Sequence, residues 1–250
     1  MNSIDTSFSP APQGDDIDFA RRFGGIGRLY GERALERFKT AHVCVIGVGG
    51  VGSWIVEALR DRIAQINPFC KVNLVEDFVE VDNIVQMIGG NASGSPRYDY
   101  VVDAIDSVKA KAALIAHCRD HAIPLLTSGG AGGQLDPTKI EVRDLARTEQ
   151  EPLLKKVRKV LRAQYGFSRG EKQKYHIDAV FSMEPLRYPE LEDACEIESS
   201  ITGLNCAGFG SSMVVTASFG MIAAAHILRK LAEAANAAAA PAAQPEFAGA

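Results

Sequence analysis

Apolar and glycine positions over residues 41–59 predict a strand, a tight turn and a helix in direct succession. The β-branched residues Val43, Val45 and Ile46 are typical of a buried strand. The sequence GVGGVG follows, and the next apolar residues recur at helical spacing, at Trp54, Ile55, Ala58 and Leu59. A strand that leads through glycines into a helix is typical of an open α/β sheet.

Strands and helices continue to alternate after this unit. Apolar runs predict strands at 71–76, 98–105, 123–127, 138–145 and 175–183, of which 138–145 is expected to be antiparallel. Helical periodicity predicts helices at 79–87, 108–121 and 213–231. Upstream, residues 21–39 predict a glycine-rich turn and a short amphipathic helix. The alternation predicts a doubly wound, Rossmann-like, mostly parallel sheet with an antiparallel extension towards the C-terminus.

The glycines of the turn are spaced as in nucleotide-binding sites. Gly47 permits the tight turn, Gly49 lets the backbone approach a phosphate, and Gly52 allows close packing of helix on strand. Together with Gly50 they place the free N–H groups of a helix start against an anion. The alternative is a glycine turn between two core elements that binds no ligand.

A second set of candidate residues follows the strand at 98–105. Asp103, Asp106 and Ser107 stand at its carboxyl end, where open α/β sheets collect their ligands. We therefore expect these residues at the phosphate site, with Asp106 able to hold Mg²⁺ or, alternatively, to cap the next helix. The glycine-rich loop 128–133, SGGAGG, is expected at the same edge of the sheet.

An acidic residue about 20 positions after the glycines bonds the ribose in dinucleotide-binding sites. By position this residue would be Glu76 or Asp77. A nicotinamide oxidoreductase would need one of these two residues and also a proton donor. The sequence offers no catalytic Tyr/Lys or His pairing for that role.

Residues 155–174, KKVRKVLRAQYGFSRGEKQK, hold eight basic residues and one acid. This run suits a phosphate backbone, although charge runs are often only solvated faces. The candidate nucleic-acid-binding residues are Lys155, Lys156, Arg158, Lys159, Arg162, Arg169, Lys172 and Lys174.

Composition limits the possible partners and compartments. The formal net charge is −4, so only a local patch could attract nucleic acid or an anionic membrane. Five scattered cysteines without a CxxC pair predict reduced thiols in the cytoplasm and no zinc knuckle. No signal peptide is evident, and we expect disorder over 1–19 and the Ala-rich 232–250. The apolar run 213–231 favours a buried helix over membrane contact.

Several longer stretches together resemble the tRNA threonylcarbamoyladenosine dehydratases, a family of the E1-like adenylating superfamily. They are RRFGGIGRLYGERALERF, HVCVIGVGGVGSWIVEAL, VVDAIDSVKAKAALIAHCR, IPLLTSGGAGGQLDPTKIEVRDLART and NCAGFGSSMVVTASFG. The similarity covers about residues 20–230. It implies one E1-like ATP-binding domain over 20–231, with 150–206 as an insertion that faces the tRNA substrate.

The resemblance also implies the chemistry. ATP, rather than a nicotinamide, would bind at the glycine turn, with Asp106 as the Mg²⁺ residue. The carboxylate of N6-threonylcarbamoyladenosine at position 37 of tRNA would be adenylated and then cyclised with loss of AMP. The family further implies a homodimer in which Arg22 or Arg28 reaches a phosphate across the interface, and a sulphur-transfer protein as a further partner.

One departure from the family pattern is large. The motif EALR runs directly into DRIAQINP, so a strand-loop-helix unit of roughly 30 to 40 residues is missing between Arg60 and Asp61. That unit carries the ribose-binding acid and phosphate-facing basic residues of the family. The sequence 71–76, KVNLVE, matches the third strand of the family, so Glu76 or Asp77 would bind ribose only if this strand moved beside the first.

Two alternatives to the dehydratase activity remain at this point. The chain could be a catalytically inactive homologue that keeps the tRNA or protein contacts, or an adenylase of a sulphur-carrier protein. Thioester chemistry at Cys195 or Cys206 is not favoured, because the acidic DACEIE context of Cys195 does not activate a thiol.

Overall fold

The computed structural model describes residues 19–47, 63, 67–89, 97–170, 173–187 and 210–238. The predicted terminal disorder over 1–18, the helix after the glycine turn, and both Cys195 and Cys206 lie outside these residues. So does the junction between Arg60 and Asp61.

The described strands form one five-stranded sheet. In chain order they are β1 (Val43–Ile46), β2 (Tyr100–Asp103), β3 (Leu125–Ser128), β4 (Ile140–Asp144) and β5 (Asp178–Ser182). Their order across the sheet is β1-β2-β3-β5-β4, with β4 antiparallel to β5 and all other pairs parallel. This confirms the mostly parallel sheet and the antiparallel strand predicted at 138–145.

Six α-helices are described. They are α1 (Phe19–Tyr30), α2 (Glu32–Thr40), α3 (Ile84–Ile88), α4 (Val108–Asp120), α5 (Pro152–Gln164) and α6 (Met213–Ala237). Short 3-10 turns at Pro137–Lys139 and Leu145–Arg147 flank β4.

Two apolar clusters cover the sheet. One joins α4 and α5 to the strands through Val101, Leu114, Leu154 and Phe181. The other joins α6 to the strands through Leu126, Val180, Phe219 and Ile227. Helices therefore pack on both faces, as expected for strands that are mainly parallel and apolar.

Three local predictions differ from the structure. Residues 21–27 are helical within α1 instead of forming a turn, and the break comes at Gly31, whose φ of +95° favours glycine. Residues 71–76 form no strand. The predicted disordered tail begins inside α6, because the helix continues to Ala237.

The segment 150–206, predicted to be an insertion, instead contributes to the central sheet and to the core. Its strand β5 lies between β3 and β4, so it belongs to the central sheet. Helix α5, from the same segment, supplies part of the core on one face.

At the other end of the sheet, β1 pairs only with β2 among the described residues. Val43 and Val45 on β1 are 42% and 60% exposed. Exposed β-branched residues on an edge strand indicate a surface that an additional element of structure would cover. This edge is where the missing strand-loop-helix unit would be expected.

Candidate nucleotide site

The site begins with three strand ends in register. Ile46 on β1 pairs with Asp103 on β2, and Asp103 pairs with Thr127 on β3. Because these strands are parallel, the loops that follow them leave the sheet at the same edge. The structure thus brings together Gly47, the loop 104–107 and the glycine-rich loop 128–133.

Gly47 contacts the loop after β2 directly. Its φ is +97°, and a Cβ at this position would lie 2.5 Å from the carbonyl carbon of Ala104 and 2.8 Å from the amide nitrogen of Ile105. The Ala104 N–H donates to the Ile46 carbonyl at 2.8 Å. Only glycine satisfies both the backbone angle and the space at this position. The other glycines of the motif, Gly49, Gly50 and Gly52, lie outside the described residues.

Asp106 and Ser107 lie at the start of α4 and are exposed. Ser107 occupies the N-cap position, although its side chain makes no capping hydrogen bond. The N-cap position of α4 is thus taken by Ser107 and not by Asp106. Asp106 stands immediately before the N-cap residue, where the partial positive charge of the helix start favours an anion.

Asp103 corrects the sequence prediction. It is fully buried and cannot contact a nucleotide directly. Its Oδ2 atom accepts hydrogen bonds from Lys111 Nζ at 2.8 Å and from Thr127 Oγ1 at 2.7 Å, while Oδ1 accepts the Ile105 N–H at 3.0 Å. Asp103 thus supports the loop from inside the protein.

Sequence reasoning missed Lys111. The side chain is fully buried within an alanine-rich part of α4, and such a helix shows few signs of which face turns inward. The available signal was a lysine between two alanines, eight positions after Asp103.

Glu151 links the second glycine-rich loop to α5. It is 4% exposed, and its carboxylate caps α5 by accepting the N–H groups of Leu153, at 3.2 Å, and of Leu154. The same carboxylate accepts the Gly130 N–H at 3.0 Å. Burial raises the pKa of Glu151, an effect that these three hydrogen bonds oppose.

Gly129 must lack a side chain because of this contact. A Cβ at residue 129 would lie 2.8 Å from Cγ of Glu151. The glycines of SGGAGG therefore allow close packing against Glu151, in addition to any contact with a ligand.

Replacement of Glu151 by alanine is expected to destabilise the protein by about 1–3 kcal/mol, because it removes a helix cap and leaves buried N–H groups without acceptors. Urea unfolding would measure the loss. The matched control is Glu149→Ala, since Glu149 is exposed two residues earlier in the chain. Equal stability of the two variants would contradict the assigned role of Glu151.

A second buried carboxylate orders the end of the same loop. Glu184, 7% exposed, accepts the N–H groups of Leu135 at 2.9 Å and Asp136 at 2.7 Å. The neighbouring Gln134 is 1% exposed, and its amide oxygen and nitrogen have no hydrogen-bond partner among the described residues. Neither feature was predictable from the sequence.

The predicted basic run divides into two groups in the structure. Lys155, Lys156 and Lys159 on α5 are exposed, as are Arg169 and Lys174, whereas Lys172 lies outside the described residues. In contrast, Arg158 donates to the Thr148 hydroxyl, and Arg162 Nε donates to the Tyr175 hydroxyl at 2.7 Å.

These contacts tie the two arginines to the residues around α5. Both are half-buried, and burial lowers the pKa of Arg158. The three exposed lysines of α5 are better placed for a phosphate backbone.

Arg22 and Arg28 are exposed on α1, which packs with α2. The Arg28 guanidinium lies beside Gly24 and Gly25 of its own helix. The described contacts do not bring Arg28 to Gly47 or to the loop 104–107.

Glu76 and Asp77 are exposed in a segment without regular secondary structure. Because 71–76 forms no strand, the idea that this segment pairs with β1 and presents a ribose acid is wrong. β1 pairs only with β2 in the part of the sheet that is described.

Helix α6 is long and apolar enough to span a bilayer by length and composition, a test that core helices also pass. One face of α6 packs in the core through Val215, Phe219 and Ile227. His226, on α6, is 8% exposed; its Nε2–H donates to Asp178 at 2.8 Å and its Nδ1 accepts from Arg229 at 3.0 Å. Both ring nitrogens of His226 are therefore satisfied within the protein.

Comparison with known proteins identifies close relatives. The tRNA threonylcarbamoyladenosine dehydratase of Haemophilus influenzae is 42% identical over 255 residues, covering 86% of this chain and 94% of that protein. The protein of the same name from Escherichia coli K12 is 43% identical over 256 residues, covering 84% and 93%.

The fold is also that of solved structures. The E. coli dehydratase in complex with ATP matches with a TM-score of 0.70 and 42% identity, over 87% of this chain and 96% of that chain. The complex of the same enzyme with AMP matches with a TM-score of 0.69.

The alignment with the H. influenzae protein agrees with an internal gap. The alignment is 255 positions long and includes 86% of this chain, which is 215 of its 250 residues. The other 40 positions of the alignment therefore have no residue in this chain. The ThiF family matches residues 56–247, more than half of the chain. The chain therefore belongs to the ThiF family and, within it, to the tRNA threonylcarbamoyladenosine dehydratases.

Proposed function

We propose that this chain is an ATP-dependent tRNA-modifying enzyme that adenylates and cyclises N6-threonylcarbamoyladenosine at position 37 of tRNA. The structural observation that carries the proposal is the contact of Gly47 with Ala104 and Ile105, because it joins the start of a phosphate-binding turn to the loop that presents Asp106. The activity shared by the relatives supplies the substrate.

The reaction has two steps. A carboxylate oxygen of the threonyl group attacks the α-phosphorus of ATP, and pyrophosphate leaves. A carbamoyl nitrogen then attacks the acyl carbon, loses its proton and displaces AMP, which keeps the carboxylate oxygen. The nucleoside thus loses the elements of water, and adenylation supplies the leaving group that a free carboxylate lacks.

The proposal includes Mg²⁺, which the Asp106 carboxylate would bind. Among the described residues no group of three or more His, Cys, Asp or Glu side chains could hold a metal ion. Mg²⁺ usually binds one or two carboxylates together with substrate phosphates, so an exposed carboxylate after β2 fits its requirements. When bound, Mg²⁺ would neutralise negative charge on the phosphates.

The shorter chain leads us to expect weaker nucleotide binding than in the longer relatives. The missing unit would supply the ribose-binding acid, and neither Glu76 nor Asp77 is placed on a strand that could replace it. Calorimetric titration with ATP would measure this difference against the E. coli enzyme.

The test of the function is incubation with ATP, Mg²⁺ and tRNA that carries N6-threonylcarbamoyladenosine. We expect equal amounts of AMP and pyrophosphate, and a nucleoside lighter by one water. An inactive homologue would bind tRNA in a salt-sensitive manner without binding ATP. An adenylase of a sulphur carrier would release pyrophosphate only with a carrier protein, and either result would overturn the proposal.

We further propose that the exposed lysines Lys155, Lys156 and Lys159 contact the tRNA backbone. Their replacement by glutamine should weaken tRNA binding and reduce the salt dependence of binding by about 0.7–0.9 per lost phosphate contact. Binding measured at several salt concentrations would show the change. Lys139→Gln is the control, because Lys139 is an exposed lysine outside the basic run, in the 3-10 turn that contacts α6.

A homodimer is the proposed assembly. Helix α6 carries an outer apolar stripe that includes Val214, Met221 and Leu228, which are 58%, 73% and 38% exposed. Such a stripe at helical spacing suits a second copy of the chain. A partner protomer is also the proposed source of the phosphate-binding Arg22 or Arg28.

Met221→Glu is expected to convert the dimer to monomers at micromolar concentration, because it places a charge in an apolar interface. Sedimentation velocity would measure the oligomeric state. Gln164→Glu adds the same charge on α5 and should leave the dimer intact. A dimeric Met221→Glu protein would exclude this stripe as the interface.

Cytoplasmic localisation and a sulphur-transfer protein as a further partner remain proposals from the sequence. Membrane contact of α6 is not favoured, since one face of the helix packs in the core.

A further inference from the structure

Lys111 is a fully buried cation that the proposed reaction does not use directly. Its Nζ atom donates to Asp103 Oδ2 at 2.8 Å, to Thr127 Oγ1 at 3.1 Å and to the Asp103 carbonyl at 3.4 Å. An ammonium group has three protons, so these acceptors use its whole donor capacity. Lys111 therefore has no free donor for a substrate.

The bonds to Lys111 fix the orientation of Asp103. With Oδ2 held by Lys111 and Thr127, the Asp103 carboxylate turns Oδ1 towards the Ile105 N–H, which donates to it at 3.0 Å. This bond from residue i to residue i+2 shapes the turn immediately before Asp106.

The same turn is held from the β1 side. The Ala104 N–H donates to the Ile46 carbonyl, and the Gly47 backbone packs against Ala104 and Ile105. The turn thus has one anchor on β1, at the glycine motif, and one anchor beneath it, at Lys111. Together they set the position of Asp106 relative to the phosphate-binding turn.

Burying an ion pair is costly, and an apolar residue in the same place often gives equal or greater stability. A buried Lys–Asp pair therefore needs a reason other than stability alone. Precise support of a metal-binding loop is such a reason, because loops hold a functional group well only when residues behind them are fixed.

We propose that Lys111, acting through Asp103 and Thr127, is a positioning residue that fixes the turn 103–105 and so aims Asp106 at the Mg²⁺–phosphate site. This inference rests on the proposed function for the role of Asp106. The geometry of the turn itself is independent of that function.

The main test is the double variant Lys111→Met/Asp103→Asn. It removes both buried charges together, so no unpaired ion remains, and asparagine keeps the size of the aspartate side chain without the bond from Lys111 that orients it. We expect a melting temperature near that of the natural protein. The Mg²⁺ concentration for half-maximal pyrophosphate release should rise at least tenfold, with tRNA binding unchanged.

Amide hydrogen exchange gives a readout that needs no activity. The double variant should exchange the Ile105 amide proton at least tenfold faster, because residue 103 is no longer held in the orientation that accepts this N–H. Lys139→Met, at an exposed lysine, should change neither exchange nor Mg²⁺ dependence.

A second variant covers the case in which the double variant does not fold. Thr127→Val removes the hydroxyl group between Lys111 and Asp103 and keeps the side-chain volume. A smaller change in the same direction, about threefold in Mg²⁺ dependence, is expected.

The two proposals fail in different ways. If the natural protein releases no pyrophosphate, the proposed function is wrong, whereas faster exchange at Ile105 in the variants would still show that Lys111 holds the turn. Folded variants with natural exchange rates and natural Mg²⁺ dependence would overturn the role of Lys111.

Discussion

Replacement of Asp106 by asparagine is expected to lower tRNA-dependent pyrophosphate release at least about 100-fold, equivalent to about 2.7 kcal/mol of transition-state stabilisation. The carboxylate stands after β2 and before α4, exposed and beside the turn that begins at Gly47. Asparagine keeps the size of the side chain and removes the charge that Mg²⁺ requires. Steady-state kinetics with modified tRNA would measure the loss.

The control for this variant is Asp120→Asn at the last residue of α4. Asp120 is exposed, and its contact is with the neighbouring Arg119 at the surface. It should retain activity within about twofold, since exposed ion pairs contribute little. Equal turnover by Asp106→Asn and the natural protein would remove Asp106 from the site.

Gly47→Ala is expected to have the second large effect, a loss of ATP affinity of at least about tenfold together with about 1–3 kcal/mol of stability. The alanine Cβ would lie 2.5 Å from the Ala104 carbonyl carbon. Backbone atoms cannot yield as a flexible side chain would, so the turn and the loop 104–107 must separate. Calorimetry with ATP and urea unfolding would measure the two losses.

Gly166→Ala provides a matched control for Gly47→Ala. Gly166 also has a positive φ, +68°, but a Cβ there would meet nothing within 4 Å. Its replacement should carry only the conformational cost, about 1 kcal/mol, and leave ATP binding unchanged. If both variants bound ATP normally, the contact of Gly47 with Ala104 would have no part in forming the site.

The sheet was predictable where local pattern determines structure. The β-branched run that became β1 and the apolar run that became β2 both end at the residues the sequence indicated, within the accuracy of strand limits. The segment 71–76 has a similar pattern but forms no strand, because a strand needs a paired neighbour as well as apolar residues. The helix at 21–27 was missed because glycines favour a turn, while packing of α1 on α2 stabilises a helix there.

In the candidate site, too, some features could be predicted from the sequence and others could not. Asp106 and Gly47 could be placed from the sequence, since in a parallel sheet every loop after a strand leaves at one edge. Asp103 was assigned to the ligand from its position in the chain, but the structure buries it against Lys111 and Thr127. Chain position indicates the end of a strand and does not indicate whether the last side chain faces the core or the solvent.

The sequence alone determined the fold class, the family and the two loops of the candidate nucleotide site, because strand, glycine turn and helix start are set by residues adjacent in the chain. Only the tertiary structure decided which polar residues support those loops. Lys111 meets Thr127 across 16 residues, and Glu151 meets Gly130 across 21. Such contacts depend on the order of strands and the faces of helices, which local periodicity leaves open.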